Sequence, residues 1–281
     1  MKKNKTSRYQ RMSQALQMEI REHKKSFAVY ASLRIAVIIM MVLQIFNRNY
    51  ENVFLCVLTL LLLIVPSFVQ MTFRVELPIT LEIIILCFIF AAEILGEISH
   101  FYLIFPFWDT LLHTLNGFLA AAIGFSLVNL LNQTKNIQFE LSPLFVAIVA
   151  FCFSMTIGVV WEFFEFTMDT FFAMDTQKDT IIQTIHSVSL NPSGTMSTIK
   201  NISDVAINGQ PLNIPGYLDI GLIDTMEDLI VNFIGATVFS ILGFLYIKNP
   251  NKSKLVKRFI PTPKDKNKDY LKIVNEEHNN E

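Results

Sequence analysis

Apolar residues along this chain fall into long runs separated by short polar clusters. Six runs stand out, at about 27–46, 53–70, 77–96, 107–131, 142–172 and 222–247. Each reaches or exceeds the ~18–20 residues that a helix needs to cross roughly 30 Å of hydrocarbon. The fifth is long enough to tilt, or to continue beyond the bilayer. The pattern predicts an all-α, polytopic membrane protein, a six-transmembrane-helix bundle with lipid bilayer as its surroundings.

Composition supports this class. Of the 281 residues 52% are hydrophobic and 17% charged, which argues against a soluble domain and against a nucleic-acid partner. The net charge of −1 conceals an asymmetry along the chain. Eight Lys and Arg lie in residues 1–25 and nine in 248–281; Arg74 is in the second short loop and Lys135 in the fourth. Only Arg48, Lys178 and Lys200 fall in the odd-numbered connections. Basic residues are retained on the cytoplasmic side. Placing both termini inside therefore gives 19 basic residues in the cytoplasm and three outside.

The expected organisation is a basic cytoplasmic tail (1–26), a six-span domain (27–247) with an extracytoplasmic loop (175–221), and a second basic cytoplasmic tail (248–281). The expected location is a membrane, crossed several times, with both tails on its cytoplasmic side. No cleavable signal peptide is expected, because no small-residue cleavage site follows the first apolar run. The first tail has weak helical periodicity through Tyr9–Glu22; it could lie on an anionic leaflet or be solvated. Cys56, Cys87 and Cys152 have no metal-like spacing and read as apolar fillers without a disulfide.

Ionisable side chains inside a span are costly, and this chain carries many. Glu82, Glu93, Glu97 and His100 share one face of the third span when read at ~100° per residue. Asp109, His113, Asn116 and Gly117 share a face of the fourth, and Glu162, Glu165 and Asp169 a face of the fifth. Asp224, Asp228, Asn232 and Gly235 do so on the sixth. Spans three and five run outward and carry these residues late, apart from Glu82. Spans four and six run inward and carry them early. The expectation is one pocket in the outer half of the membrane, formed by His113, Glu162, Glu165 and Asp228. Asp109, Asp169, Asp224, Asn232, Glu93, Glu97 and His100 are placed at its rim. For the Asp residues in terminal turns, a helix-capping role competes with a functional one. Glu82 lies deeper, at a depth matching Arg34, and the two are expected to form a structural ion pair.

The motifs Trp108-Asp109-Thr110-Leu111-Leu112-His113 with Gly117, Trp161-Glu162-Phe163-Phe164-Glu165, and Asp224-Thr225-Met226-Glu227-Asp228 with Asn232 and Gly235 resemble the YjdF-like family of bacterial inner-membrane proteins. A more distant similarity is to the VanZ-like family. The resemblance covers roughly residues 80–245. Met226 stands where the YjdF-like pattern often has Gln, and Glu165 where VanZ-like chains have Gln. The VanZ-like Arg ahead of the last motif is missing. The resemblance marks the same residues as the facial pattern and implies no particular reaction.

Three readings stay open. A non-catalytic cell-envelope protein would use the polar cluster to hold helices or a partner. A membrane-embedded hydrolase or transferase could bind a divalent metal at His113, Glu162, Glu165 and Asp228 and act on a lipid or lipid-linked substrate. A proton- or cation-coupled transporter could continue the polar path through Glu82, although no span reads as plainly broken. The loop 175–221, with Asn208-Gly209 between short apolar runs, could form a hairpin lid over the pocket or remain irregular.

Overall fold

A computed structural model describes residues 8–132, 141–249 and 256–280. Lys2, Lys3, Lys5, Lys135, Lys252 and Lys254, which contribute to the charge asymmetry, lie outside the described residues. The helices in chain order are α1 (Arg8–Arg21), α2 (Lys24–Phe46), α3 (Tyr50–Leu62), α4 (Val65–Phe73), α5 (Ile79–Phe90), α6 (Phe101–Ile104), α7 (Trp108–Asn132), α8 (Pro143–Phe172), α9 (Leu222–Lys248) and α10 (Tyr270–Asn280). Six helical segments are long and apolar enough to span a membrane, and they match the six sequence runs to within a few residues. The protein is an all-α polytopic membrane bundle.

Two of these spans are irregular, contrary to the expectation of unbroken helices. The second breaks between α3 and α4 at Leu63–Ile64. Pro66 has no N–H to give the carbonyl four residues back, so the ladder is interrupted there. The third widens into a π-helical stretch, Ala91–Ile98, after α5. The Ser99 N–H reaches back five residues to the Ile94 carbonyl at 3.0 Å. A wider turn breaks the ~100° rotation assumed from sequence, and π segments recur at functional sites. His100 then takes a left-handed backbone (φ 58°), caps α6 and is exposed. It lies on the exposed side of the predicted rim, within electrostatic range of Glu97.

The core of the molecule is the trio α7, α8 and α9, each packed on the other two. Small residues let them approach. A Cβ added at Gly235 would stand 2.0 Å from the Thr114 carbonyl oxygen, and one at Gly117 would stand 2.1 Å from that of Asn232. Ser142 and Pro143 start α8, with the Ser142 Oγ accepting from the Phe145 N–H at 3.2 Å. Toward the end bearing both termini the trio is closed by Phe118, Phe125 and Phe239. Val256, Phe259 and Ile260 fold back from beyond α9 to plug it. The Phe118 and Phe259 rings meet edge to face at 5.2 Å.

The tails pack against one another. The first is not simply solvated: α1 packs on α10 and α4, burying Ala15 with Met71 and Val274. Val75–Glu76 pairs antiparallel with Thr262–Pro263, and Arg74 pairs with Asp269 at 3.3 Å. Lys264 and Glu19 form a buried ion pair, while Lys268 bridges Glu22 and Glu76 at 3.0 and 2.9 Å.

Arg34 and Glu82 do not form the expected pair. The Arg34 guanidinium donates to the Tyr30 hydroxyl at 2.9 Å and the Leu60 carbonyl at 3.4 Å. Glu82 is buried and accepts from Gln70 at 3.4 Å. The reason is depth. Glu82, in the first turn of α5, has His23 and Ser26 at the start of α2 as neighbours, whereas Arg34 stands eight residues beyond Ser26, about 12 Å along that axis at ~1.5 Å per residue. Cys56 is buried, but Cys87 and Cys152 lie on outer helix faces; all three are free thiols.

Candidate functional site

The site is built on the first two turns of α7 and α9 and the second half of α8. The Gly117 and Gly235 contacts hold α7 and α9 so close that polar residues one turn nearer the helix starts face each other. Asn232, 1% exposed, locks the three helices together. Its Oδ1 accepts from Asn116 at 3.2 Å, its Nδ2 points to the Ser154 carbonyl at 3.5 Å, and the Ser154 hydroxyl donates to the Gly117 carbonyl at 2.7 Å. Asn232 is thus a floor residue between helices, not a rim residue.

Above that floor, His113 Nε2 lies 3.5 Å from Asp228 Oδ2 and 3.5 Å from Asp109 Oδ1. One ligand-type atom from each of Asp109, His113 and Asp228 lies within 4.8 Å of the other two. A second such group consists of Glu162, Glu165 and Asp228. Asp228 and Glu162 are each 4% exposed, whereas Asp109 lies nearer the mouth. Glu162 Oε2 and Glu165 Oε2 are enclosed without a hydrogen-bond partner.

The mouth is crossed by a strap that sequence did not reveal. Asp169, at the end of α8, accepts from the Thr176 N–H at 2.6 Å, from its hydroxyl at 2.6 Å, and from the Gln177 N–H at 2.8 Å. Asp224 accepts from the Lys178 N–H at 2.8 Å, and the Gln177 side chain donates to the Thr225 hydroxyl. Both oxygens of Asp169 and one of Asp224 thus already have donors from the strap. Asp219, not singled out from sequence, ties the other end of the loop. It accepts from the Thr180, Ile223 and Gly221 N–H groups at 2.9, 2.9 and 3.2 Å. Burial alone would raise its carboxyl, yet these three donors hold it below the usual carboxylate range.

Beyond the strap the loop forms small antiparallel ladders. Thr184–Ser187 pairs with Ser197–Lys200, and Ala206–Ile207 pairs with Gln210–Pro211. The second turns at Asn208-Gly209, both at positive φ (52° and 78°), as a tight primed hairpin requires. The segment tied across the site is the strap 175–178, not this hairpin.

The π-helical stretch brings Glu97 within electrostatic range of Lys178, Asp109 and His100, with Glu93 close to Glu97. Tyr102 is a further residue that sequence gave no reason to notice. Burial, with Asp109, Glu97, Glu93 and Glu165 around it, pushes its phenol far above the ordinary range. Its ring fills the space left by Gly96, where a Cβ would stand 2.3 Å away.

Chemically, the site is a crowd of carboxylates with one imidazole. Oxygen and nitrogen ligands without thiolate suit divalent zinc, manganese or iron. Among the described residues, no Lys or Arg side chain forms an ion pair with Glu162, Glu165 or Asp228.

Neither a curated protein nor a solved structure is similar enough to this chain to match. A family profile does match, over residues 29–249, and so covers five spans in full, all but the first turn or so of the first span, and the whole site. The match agrees with the YjdF-like motifs, whereas the VanZ-like similarity gains no support from it. The chain belongs to the family described as predicted membrane protein (DUF2238).

Proposed function

We propose that this protein is a multi-pass enzyme of the bacterial cytoplasmic membrane, with both termini in the cytoplasm. Its pocket in the extracytoplasmic leaflet binds a divalent cation and serves a hydrolase or transferase acting on a lipid or lipid-linked substrate. The observation that carries this reading is the Asp109–His113–Asp228 group, with its ligand-type atoms mutually within 4.8 Å. Three protein ligands of mixed type leave coordination positions open, as catalytic sites do. A cation there would supply Lewis acidity and an activated water. Asp228 and His113 would hold it from the buried side, and Asp109 from the more exposed side. The strap and the π-helical stretch shield the site from bulk solvent.

The non-catalytic envelope reading accounts for Asp169, Asp219 and Asp224, which hold the strap. It does not account for buried carboxylate oxygens left without donors, which a purely structural cluster would satisfy. Transport is disfavoured by the apolar closure of α7–α9 at Phe118, Phe125, Phe239 and Phe259.

The test uses purified full-length protein with Mn²⁺ or Zn²⁺ and a panel of phospholipids and polyprenyl-linked phosphates, reading release of phosphate or headgroup. Metal-dependent release that His113→Ala abolishes supports the reading. Tight metal binding without turnover on any panel member moves the assignment to the non-catalytic class. Cation flux into liposomes, abolished by the same variant, moves it to transport.

A further inference from the structure

Two groups of ligand-type atoms meet at one residue, and this bears on how many cations the pocket takes. Asp109 and His113 approach Asp228 from α7, and Glu162 and Glu165 approach it from α8. Asp228 sits on α9, which packs on both. A carboxylate has two oxygens, so one such residue can serve two ions at once.

The second group has its own independent mark. Glu162 is 4% exposed, and its Oε2 has no hydrogen-bond partner; Glu165 Oε2 is in the same state. Donors are available nearby but are spent elsewhere. The strap N–H groups of Thr176, Gln177 and Lys178 all go to Asp169 and Asp224. The Lys178 ammonium turns to the Asp175 carbonyl. Glu162, Glu165 and Asp228 therefore crowd together with neutral Thr225, Gln177 and Trp161 side chains beside the two glutamates and, among the described residues, His113 as the one basic side chain paired with the group.

We infer that the pocket is a dinuclear site, with Asp228 bridging one divalent cation held by Asp109 and His113 and a second held by Glu162 and Glu165. This rests on the cation-binding reading above. The charge is consistent: four carboxylates carry four negative charges and two divalent ions carry four positive ones. The ligand set, one His and carboxylates from facing helices, is the composition from which bundle cores build two-metal sites. Paired ions about 3.5–4 Å apart clamp the attacking and leaving oxygens of an in-line displacement. That chemistry narrows the substrate class to a phosphate ester or anhydride, ahead of an acyl compound.

The deciding experiment is a manganese count. Full-length protein in detergent is stripped with a chelator, titrated with MnCl₂, and read by elemental analysis and electron paramagnetic resonance. Two Mn²⁺ per chain with an exchange-coupled spectrum are expected. The near-isosteric pair Glu162→Gln/Glu165→Gln should leave one uncoupled ion. Asp228→Asn should abolish the coupling. One ion per chain, lost in His113→Ala and kept in the Glu162/Glu165 variant, overturns the second site and leaves the single-cation reading standing. No bound manganese overturns both. Two uncoupled ions indifferent to the Gln substitutions also overturn the inference. The wild-type count and coupling decide the matter even where a variant fails to fold.

Discussion

The carbonyl oxygen of Asn232 lies where a side chain at Gly117 would begin: a Cβ there would stand only 2.1 Å away. This approach of α9 to α7 sets the site, because one turn earlier on each helix it brings Asp228 Oδ2 to 3.5 Å from His113 Nε2. The close packing and the polar cluster are one feature at two heights.

Gly117→Ala and Gly235→Ala should therefore cost stability and binding together. The obstructing atoms are backbone and cannot rotate away, so a loss of about 1–3 kcal/mol is expected, the usual range for overpacking. Thermal unfolding followed by size-exclusion fluorescence checks the first effect, and manganese titration the second. Unchanged melting with full binding would mean that the helices do not approach this closely.

Asn232→Ala should leave Asn116 without its partner and open a gap beside Ser154. A buried polar group left unmatched costs about 1–3 kcal/mol. The melting temperature should fall while the site residues themselves stay in place. Asn232→Leu, which is bulkier against Gly158, should be worse than Ala; there the Asn232 Nδ2 stands 2.8 Å from a Cβ built at that glycine.

The tails supply a separate test. Lys264 and Glu19 are each 2% exposed at the side chain and paired. Lys264→Met strands a buried carboxylate and should destabilise the α1–α10 packing by about 3–5 kcal/mol. The double variant Lys264→Met/Glu19→Leu should recover most of that loss. Protease protection of α1 in inverted membrane vesicles reads both.

The same contact should depend on acid. The Tyr270 hydroxyl donates to Glu22, and this bond, outweighing burial and aided by Lys268, holds the Glu22 carboxyl below its ordinary 4.5. A lowered folded value means stability that is present above pH ~4.5 and lost as pH falls through the depressed value. Tyr270→Phe should shift the loss of α1 protection to higher pH. An unchanged acid midpoint would show that this bond does not hold the tails together.

Topology is open to direct measurement. Alkaline phosphatase fused at residue 200 should be active, and the same reporter at the C-terminus inactive, as the 19-to-3 division of basic residues requires. The reverse pattern would put the pocket in the cytoplasmic leaflet and remove the extracytoplasmic substrate class.

Much of this molecule is local and therefore legible in sequence. Span length and hydropathy are properties of a single segment, so the six helices follow from the apolar runs alone. Helical periodicity likewise places Asp109 with His113, and Glu162 with Glu165, on common faces. What the chain order could not give is the competition for donors. Asp169 and Glu162 look alike on α8, yet the strap reaches Asp169 and leaves Glu162 Oε2 without a donor. That difference depends on where Thr176 and Gln177 fold back, which no local pattern encodes. The π-helical stretch that leaves His100 exposed, and the axial offset that separates Arg34 from Glu82, are likewise set by how whole elements start, widen and pack. Sequence determined which residues enter the membrane in polar stripes. Tertiary structure decided which of them remain unsatisfied, because satisfaction of a buried charge is a property of its neighbours and not of the residue.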